Sequence, residues 1–174
     1  PFLQATLDSI LAQTFTDFEV LAIDDGSTDE GPTILKACTD PRLRIITQAR
    51  NQGLIASLNA GVEGARGRYI ARMDADDLMV PDRLARQVAF LEANPGVAAV
   101  AGFVETMNAA GEVTGVWDID RATPDEGSVA TMLPRTNCIA HPTVMLRRSA
   151  LGDLRYDPRQ HGAEDWDLWL RMRS

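Results

Sequence analysis

The chain has 174 residues, 45% of them apolar and 24% charged, with a net charge of −8. That length suits one domain with its own core, and the acidic balance argues against nucleic acid or an anionic membrane as the main partner. No run of 18 apolar residues occurs, which excludes a membrane-spanning helix within this stretch.

In chain order, residues 2–13 carry Leu3, Leu7, Ile10 and Leu11 at helical spacing. Residues 18–24 form a short apolar run ending in acids and Gly26, a buried strand. Ser27 or Thr28 is suited to cap a helix starting near Asp29. A strand is expected at 43–47, a helix at 54–65 and a strand again at 67–75. Pro81 is placed as the first residue of a helix running to about Glu92, with Asp82 favoured in its first turn. Asn94-Pro95-Gly96 ends it. Residues 97–107 read as one apolar strand, 108–111 as a turn and 112–117 as a return strand. Residues 118–136 are polar, with a short helix near 125–132. A strand leading into a helix is expected at 141–151, and a loop followed by a helix at 155–172. Strands alternating with helices give an α/β fold with a mostly parallel sheet. The two cysteines, Cys38 and Cys138, lie far apart without metal-ligand spacing and read as reduced thiols.

Ligands of open α/β sheets bind outside the carboxyl ends of the strands. Three polar groups fall at such ends: Asp24-Asp25, Arg50-Asn51, and Asp74-Ala75-Asp76-Asp77. The last puts three carboxylates in four positions, which repel one another unless a cation, a basic side chain or water offsets them. An EF-hand is excluded, because the loop counted from Asp74 lacks a glycine at its sixth position and an acid at its twelfth, Ala85. An aspartyl phosphatase would need a defined basic partner that is not evident. Acids that cap the next helix in solvent remain an alternative. Residues i and i+2 of an extended segment point the same way, so Asp74 and Asp76 can face one site. Mg²⁺ and Mn²⁺ take such carboxylates together with phosphate oxygens.

Residues 13–30, 51–77 and 81–84, then His141-Pro142-Thr143-Val144-Met145 and Glu164-Asp165-Trp166-Asp167, follow a family order. Together they resemble the inverting family 2 glycosyltransferases of GT-A fold, over nearly the whole chain. The resemblance implies a single GT-A domain over 1–174, with a nucleotide-sugar half at about 1–107 and an acceptor half at about 108–174. It implies that Asp25 contacts the nucleotide base and Asp74 sits by the ribose. Asp76 would bind Mn²⁺ or Mg²⁺ at the diphosphate. Asp165 would be the general base, His141 and Glu164 would lie on the acceptor side, and Asn51 and Asn59 would serve the nucleotide sugar. A UDP-sugar donor, a saccharide or other hydroxyl acceptor and a cytoplasmic location follow by family habit, peripheral association with the inner membrane face remaining open.

The chain departs from the family pattern in three places. It begins at the helix that follows the family's opening strand, Ser57-Leu58-Asn59 replaces the common Ala-Arg-Asn, and it stops soon after the helix bearing the base. A fragment of a longer protein is therefore expected.

The chemistry agrees with these residue types. A carboxylate within reach of an acceptor hydroxyl takes its proton, a metal offsets charge on the departing diphosphate, and one base opposite the leaving group gives inversion. Plainer duties compete at each position. Asp24 and Asp25 could be turn acids, Asp165 a helix cap, His141 a packed neutral ring, and Asn51 and Asn59 loop ties; Trp169 is assigned to the core. Two other functions remain open: a non-catalytic nucleotide-sugar-binding module, and a nucleotidyl- or phosphotransferase with an arginine clamp, Lys36 being the one lysine.

Overall fold

The computed structural model describes residues 2–173. Helix α1 (Leu3–Leu11) buries Thr6 and Leu7. Strand β1 (Val20–Asp24) is followed by helix α2 (Gly31–Ala37) and strand β2 (Leu43–Thr47). β1 and β2 pair in parallel, from Val20 opposite Leu43 to Asp24 opposite Thr47, and α2 supplies the crossover that a parallel pair requires. α2 starts at Gly31 rather than Asp29. Its first turn is met by Asp29 Oδ1, which accepts the Gly31 N–H at 2.9 Å, and not by Ser27 or Thr28.

Helix α3 (Leu54–Gly64) returns to pack on β1. At Gly64 a Cβ would come within 2.9 Å of Leu21 Cδ2 and 3.1 Å of Ile46 Cδ1, so the bare backbone sets how closely α3 lies on both strands. Strand β3 (Tyr69–Ala71) precedes the acid-rich loop, and helix α4 (Arg83–Ala93) follows it. α4 begins two residues after Pro81. The Pro81 carbonyl accepts from Thr14 N–H at 2.9 Å, and the Leu84 N–H of the first turn donates to Gln13 Oε1 at 3.0 Å.

The expected strand at 97–107 is two strands, β4 (Ala99–Val100) and β5 (Glu105–Met107). Between them the Val104 N–H is taken by the buried carboxylate of Asp120, at 2.6 Å from Oδ2. That diverts the backbone out of the sheet. β5 pairs antiparallel with β6 (Val113–Val116). Helices α5 (Asp118–Arg121) and α6 (Glu126–Met132) follow, the latter opened by a reciprocal Asp125–Ser128 capping box. A 3-10 turn at His141–Thr143 leads into β7 (Met145–Arg147), then α7 (Arg148–Leu151) and α8 (Glu164–Met172).

β7 lies between β3 and β4 and runs antiparallel to both. β3 and β4 therefore share a direction, as a parallel sheet would have it, with one reversed strand from the second half inserted between them. All three residues of β7 are buried. Its faces feed separate clusters: Met145 packs with Met79, Leu84 and Leu91, while Leu146 packs with Ile55, Leu151, Leu168 and Trp169. Arg147, also buried, donates to the carbonyls of Leu91, Asn94 and Val97 at 2.7, 3.2 and 3.1 Å and so closes the end of α4. Cys38 and Cys138 are free thiols. Among the described residues no helix is long and apolar enough to cross a membrane.

Candidate active site

The loops after β1 and β2 form one unit. Asp24 is buried and accepts the Ser27 N–H at 2.9 Å, which shapes the turn. Gly26 has φ +70°, and a Cβ there would lie 2.7 Å from the Arg50 carbonyl carbon and 2.9 Å from Asn51 N. Only glycine fits that approach. Asp25 then spans the two loops, Oδ1 accepting from Gln52 N–H and Oδ2 from Gly53 N–H, both at 2.8 Å. Asn51 is exposed beside it.

The acid loop is held by α1. Thr6 Oγ1 donates to the Ala75 carbonyl at 3.0 Å, Ser9 Oγ accepts from Met79 N–H at 3.1 Å, and Gln13 Nε2 donates to the Val80 carbonyl at 2.7 Å. Part of its charge is offset within the protein. Asp74 forms an ion pair with Arg72, whose side chain is only 12% exposed. The buried Arg83 guanidinium donates to the Arg72 carbonyl at 2.9 Å and to Gln87 Oε1 at 3.1 Å. Burial pulls Arg83 down to about 10, so it remains a cation at neutral pH. The offset is incomplete: burial, then Asp74 and Asp76, push the Asp77 carboxyl above its ordinary value. Asp76 is exposed and makes no side-chain hydrogen bond or ion pair among the described residues.

An outward carboxylate in a field that stays negative is a donor set that fits a hard divalent cation completed by phosphate oxygens. No group of three or more His, Cys, Asp or Glu that could hold a metal occurs among the described residues, so the protein itself offers only part of a coordination shell.

The second wall is the start of α8. Asp165 accepts from Asn137 Nδ2 at 2.8 Å and, through Oδ1, from Trp166 N–H at 2.7 Å. Glu164 is buried and accepts the Gly162 N–H at 2.7 Å. Neither caps the helix; the cap position is Ala163. His141 Nε2 lies 2.9 Å from the Tyr156 hydroxyl, with the Trp169 ring edge-on at 5.7 Å. Burial, then the charge of Arg72, lowers His141 to about 3 against an opposing pull from Glu164, so its ring is neutral. Burial raises Tyr156 as well, with Arg72 lowering it and Asp165 and Glu164 raising it. Arg72 from the end of β3 and the two acids of α8 thus act on the same buried pair of rings. The acid loop and the start of α8 share one electrostatic neighbourhood.

Two expected residues are occupied otherwise. The Asn59 amide is tied within the fold: its Nδ2 donates to the Tyr156 carbonyl and its Oδ1 accepts the Tyr156 N–H, both at 2.9 Å. That closed pair spends the amide on holding the loop ahead of α8. His141 is buried, and its Nε2 is engaged with the Tyr156 hydroxyl. Trp166 donates to the Leu133 carbonyl at 2.7 Å, and Trp169 is core. Arg72, Asn137, Tyr156 and Gln13 had escaped sequence reading. Only Arg72 left a local signal, since it stands two residues before Asp74 in extended backbone. An open depression of about 550 Å³ along α6, with Asp125, Ser128 and Arg135 on its wall, contains none of these carboxylates at the strand ends or on α8.

The model of "Glycosyl transferase family 2" matches residues 1–155. EpsE of Bacillus subtilis, named as a glycosyltransferase, is 38% identical over 98% of this chain and 61% of its own length. WfaP of Escherichia coli, named as a UDP-Glc:α-D-GlcNAc-diphosphoundecaprenol β-1,3-glucosyltransferase, is 30% identical over 98% of this chain and 64% of its own length. The chain thus spans about six-tenths of these relatives. The mannosyltransferase PcManGT from Pyrobaculum calidifontis, solved with GDP-Man and Mn²⁺, superposes with a TM-score of 0.73 at 24% identity, over 99% of this chain and 48% of its own. That likeness shows the fold, which is GT-A. On the match of its residues 1–155, the chain belongs to glycosyl transferase family 2.

Proposed function

We propose that the protein is a metal-assisted, inverting glycosyltransferase. It moves a sugar from a UDP-sugar to a hydroxyl acceptor in the assembly of a polysaccharide or glycoconjugate. The observation that carries the reading is that Arg72, the ion-pair partner of Asp74, and the α8 acids Asp165 and Glu164 all bear on the buried Tyr156, whose hydroxyl lies 2.9 Å from His141 Nε2. UDP as the carrier rests on the printed name of WfaP, and two free thiols fit a reducing cytoplasm.

In this reading Asp25 and Asn51 form the cradle for the nucleotide, and Asp74 lies toward its ribose. Asp76 would hold Mn²⁺ or Mg²⁺, which would supply charge compensation for the departing diphosphate. The acceptor hydroxyl gives its proton to a carboxylate oxygen of Asp165. Its oxygen forms the new bond to the anomeric carbon as the bond from that carbon to the diphosphate breaks on the opposite face. The nucleoside diphosphate leaves with the bonding pair, and the configuration inverts. Asn137 keeps the carboxylate turned, and Glu164 faces the acceptor.

Calorimetry with UDP, with and without Mn²⁺, tests the donor side. The expected result is Mn²⁺-dependent affinity that Asp76→Ala removes. Affinity independent of metal and unchanged in that variant overturns the metal role. Asp165→Asn tests the catalytic side: release of UDP from UDP-sugar should fall steeply, undiminished release in that variant overturns Asp165 as the base, and binding of UDP-sugar without any release by the wild type would return the protein to a binding module.

A further inference from the structure

A second, smaller cavity lies where the chain leaves β4. Its volume is about 90 Å³, and its walls include Ala101, Phe103, Asp120, Thr123, Cys138 and Ala140. Asp120 is 4% exposed. One of its oxygens, Oδ2, accepts the Val104 N–H at 2.6 Å. The other, Oδ1, is buried without a hydrogen bond; Arg121 Nε stands 3.5 Å away, an ion pair beyond good hydrogen-bond geometry. A buried carboxylate oxygen left so is costly unless something donates to it. Thr123 Oγ1 lies 3.3, 3.3 and 3.5 Å from the carbonyls of Ile119, Asp120 and Cys138. Its single proton serves one of these, which leaves its lone pairs able to accept. The polar side of the cavity therefore presents acceptors and calls for a donor. The rest of the wall is mostly apolar, with the Phe103 ring, Pro124, aliphatic side chains and the Cys138 thiol.

The space would hold about three waters at roughly 30 Å³ each. It is too small for a sugar ring and suits a carbon bearing a hydroxyl. Its position is also informative. β4 shares the direction of β3, so the residues that leave β4 into the cavity wall, from Ala101, lie at the same end of the sheet as the acid loop that leaves β3. Asn137, which holds Asp165, immediately precedes the cavity wall at Cys138, and His141 immediately follows Ala140.

We propose that Asp120 and Thr123 form an acceptor subsite that takes the exocyclic hydroxymethyl group of a sugar, the hydroxyl donating to Asp120 Oδ1 and the methylene resting on Ala101 and Ala140. This rests on the glycosyltransferase reading and names the chemical class of its acceptor.

Saturation-transfer NMR with methyl β-D-glucopyranoside and its 6-deoxy analogue tests it, with and without UDP and Mn²⁺. The glucoside binds the wild-type protein, and the 6-deoxy analogue binds about tenfold more weakly, the loss expected for one hydrogen bond to a charged group. Asp120→Asn removes the preference, because its amide oxygen stays with Val104 N–H and its NH₂ then faces the cavity. Ala140→Leu, which fills the space and leaves Asp120 intact, weakens the glucoside. Circular dichroism confirms that both variants are folded. Equal transfer to the two probes, transfer to neither, or a preference that survives Asp120→Asn means that the cavity holds water only. UDP calorimetry on the same samples separates the claims. Mn²⁺-dependent UDP binding without glucoside discrimination defeats the subsite alone, and absence of UDP binding defeats the functional reading.

Discussion

Asn137 Nδ2 donates to Oδ2 of Asp165 across 2.8 Å, from the loop after α6 to the first turn of α8. The bond fixes which face of the carboxylate is free. It makes Asn137 a positioning residue for the proposed base.

Replacing it with Asp puts a like charge against Asp165, which raises the carboxyl's pKa. Asn137→Asp should therefore move the acid limb of the kcat–pH profile upward by about one pH unit or more, with the donor KM unchanged. Asn137→Ala should lower kcat about tenfold or more through loss of orientation. Parallel changes in donor KM and no shift of the acid limb would assign Asn137 a merely structural duty.

Among the described residues, Arg72 is the one cation paired with Asp74. In Arg72→Met the acid loop loses that offset while Asp76 stays exposed. Added Mn²⁺ should then raise the unfolding midpoint of the variant more than that of the wild type, since ligand binding stabilises the folded state by mass action. Equal Mn²⁺-induced shifts in the two proteins would show that the loop does not take the metal.

Asn59 clamps both backbone groups of Tyr156. Each polar group left without a partner costs about 1–3 kcal/mol, so Asn59→Ala should destabilise the fold by about 2 kcal/mol in urea unfolding. Tyr156 carries the hydroxyl that meets His141, so the same variant should lose activity. A stability change below about 0.5 kcal/mol would remove Asn59 from this role.

His141 gives a pH dependence. Its ring titrates at 6.5 when unperturbed and at about 3 in the fold. Between those values the unfolded chain binds the extra proton, so stability is full above pH 6.5 and falls as the pH drops toward 3. The slope is up to about 1.4 kcal/mol per pH unit. Asp40 and Asp157, held near 2 by Arg42 and Arg159, add their own loss only below 3.8. Equilibrium unfolding from pH 7 to 4.5 should show the fall in wild type and a flatter curve in His141→Gln. The exposed His161 serves as the control.

Much of this was legible because it depends on short-range pattern. The apolar run before Asp24, the period of α3, and Asp125 ahead of α6 are local signals, and each element formed there. The i, i+2 spacing of Arg72 and Asp74 is equally local, and a basic side chain was among the expected offsets for the acids, but Arg72 was not singled out as that partner. Other ties span the sequence. Gln13 closes the first turn of α4 across 71 residues, Asn59 meets Tyr156 across 97, and Asn137 meets Asp165 across 28. Nothing near Asn59 distinguishes a ligand contact from a backbone clamp, since both need the same amide. The strand expected at 97–107 divides for a similar reason. Asp120, 16 residues on from Val104, captures its N–H, and strand propensity at 101–104 has no means of registering it.

The insertion of β7 between β3 and β4 orders events in time. Tyr69–Ala71 and Ala99–Val100 have their ladder partners only at Met145–Arg147. On a ribosome delivering about 5–20 residues per second, the chain carrying the acid loop must wait several seconds for the strand that secures it. Such distant pairing is slow to close. During synthesis the β1–β2 hydrogen bonds can form early, while Asp74, Asp76 and Asp77 stay without the β7 ladder beside them until the later segment docks.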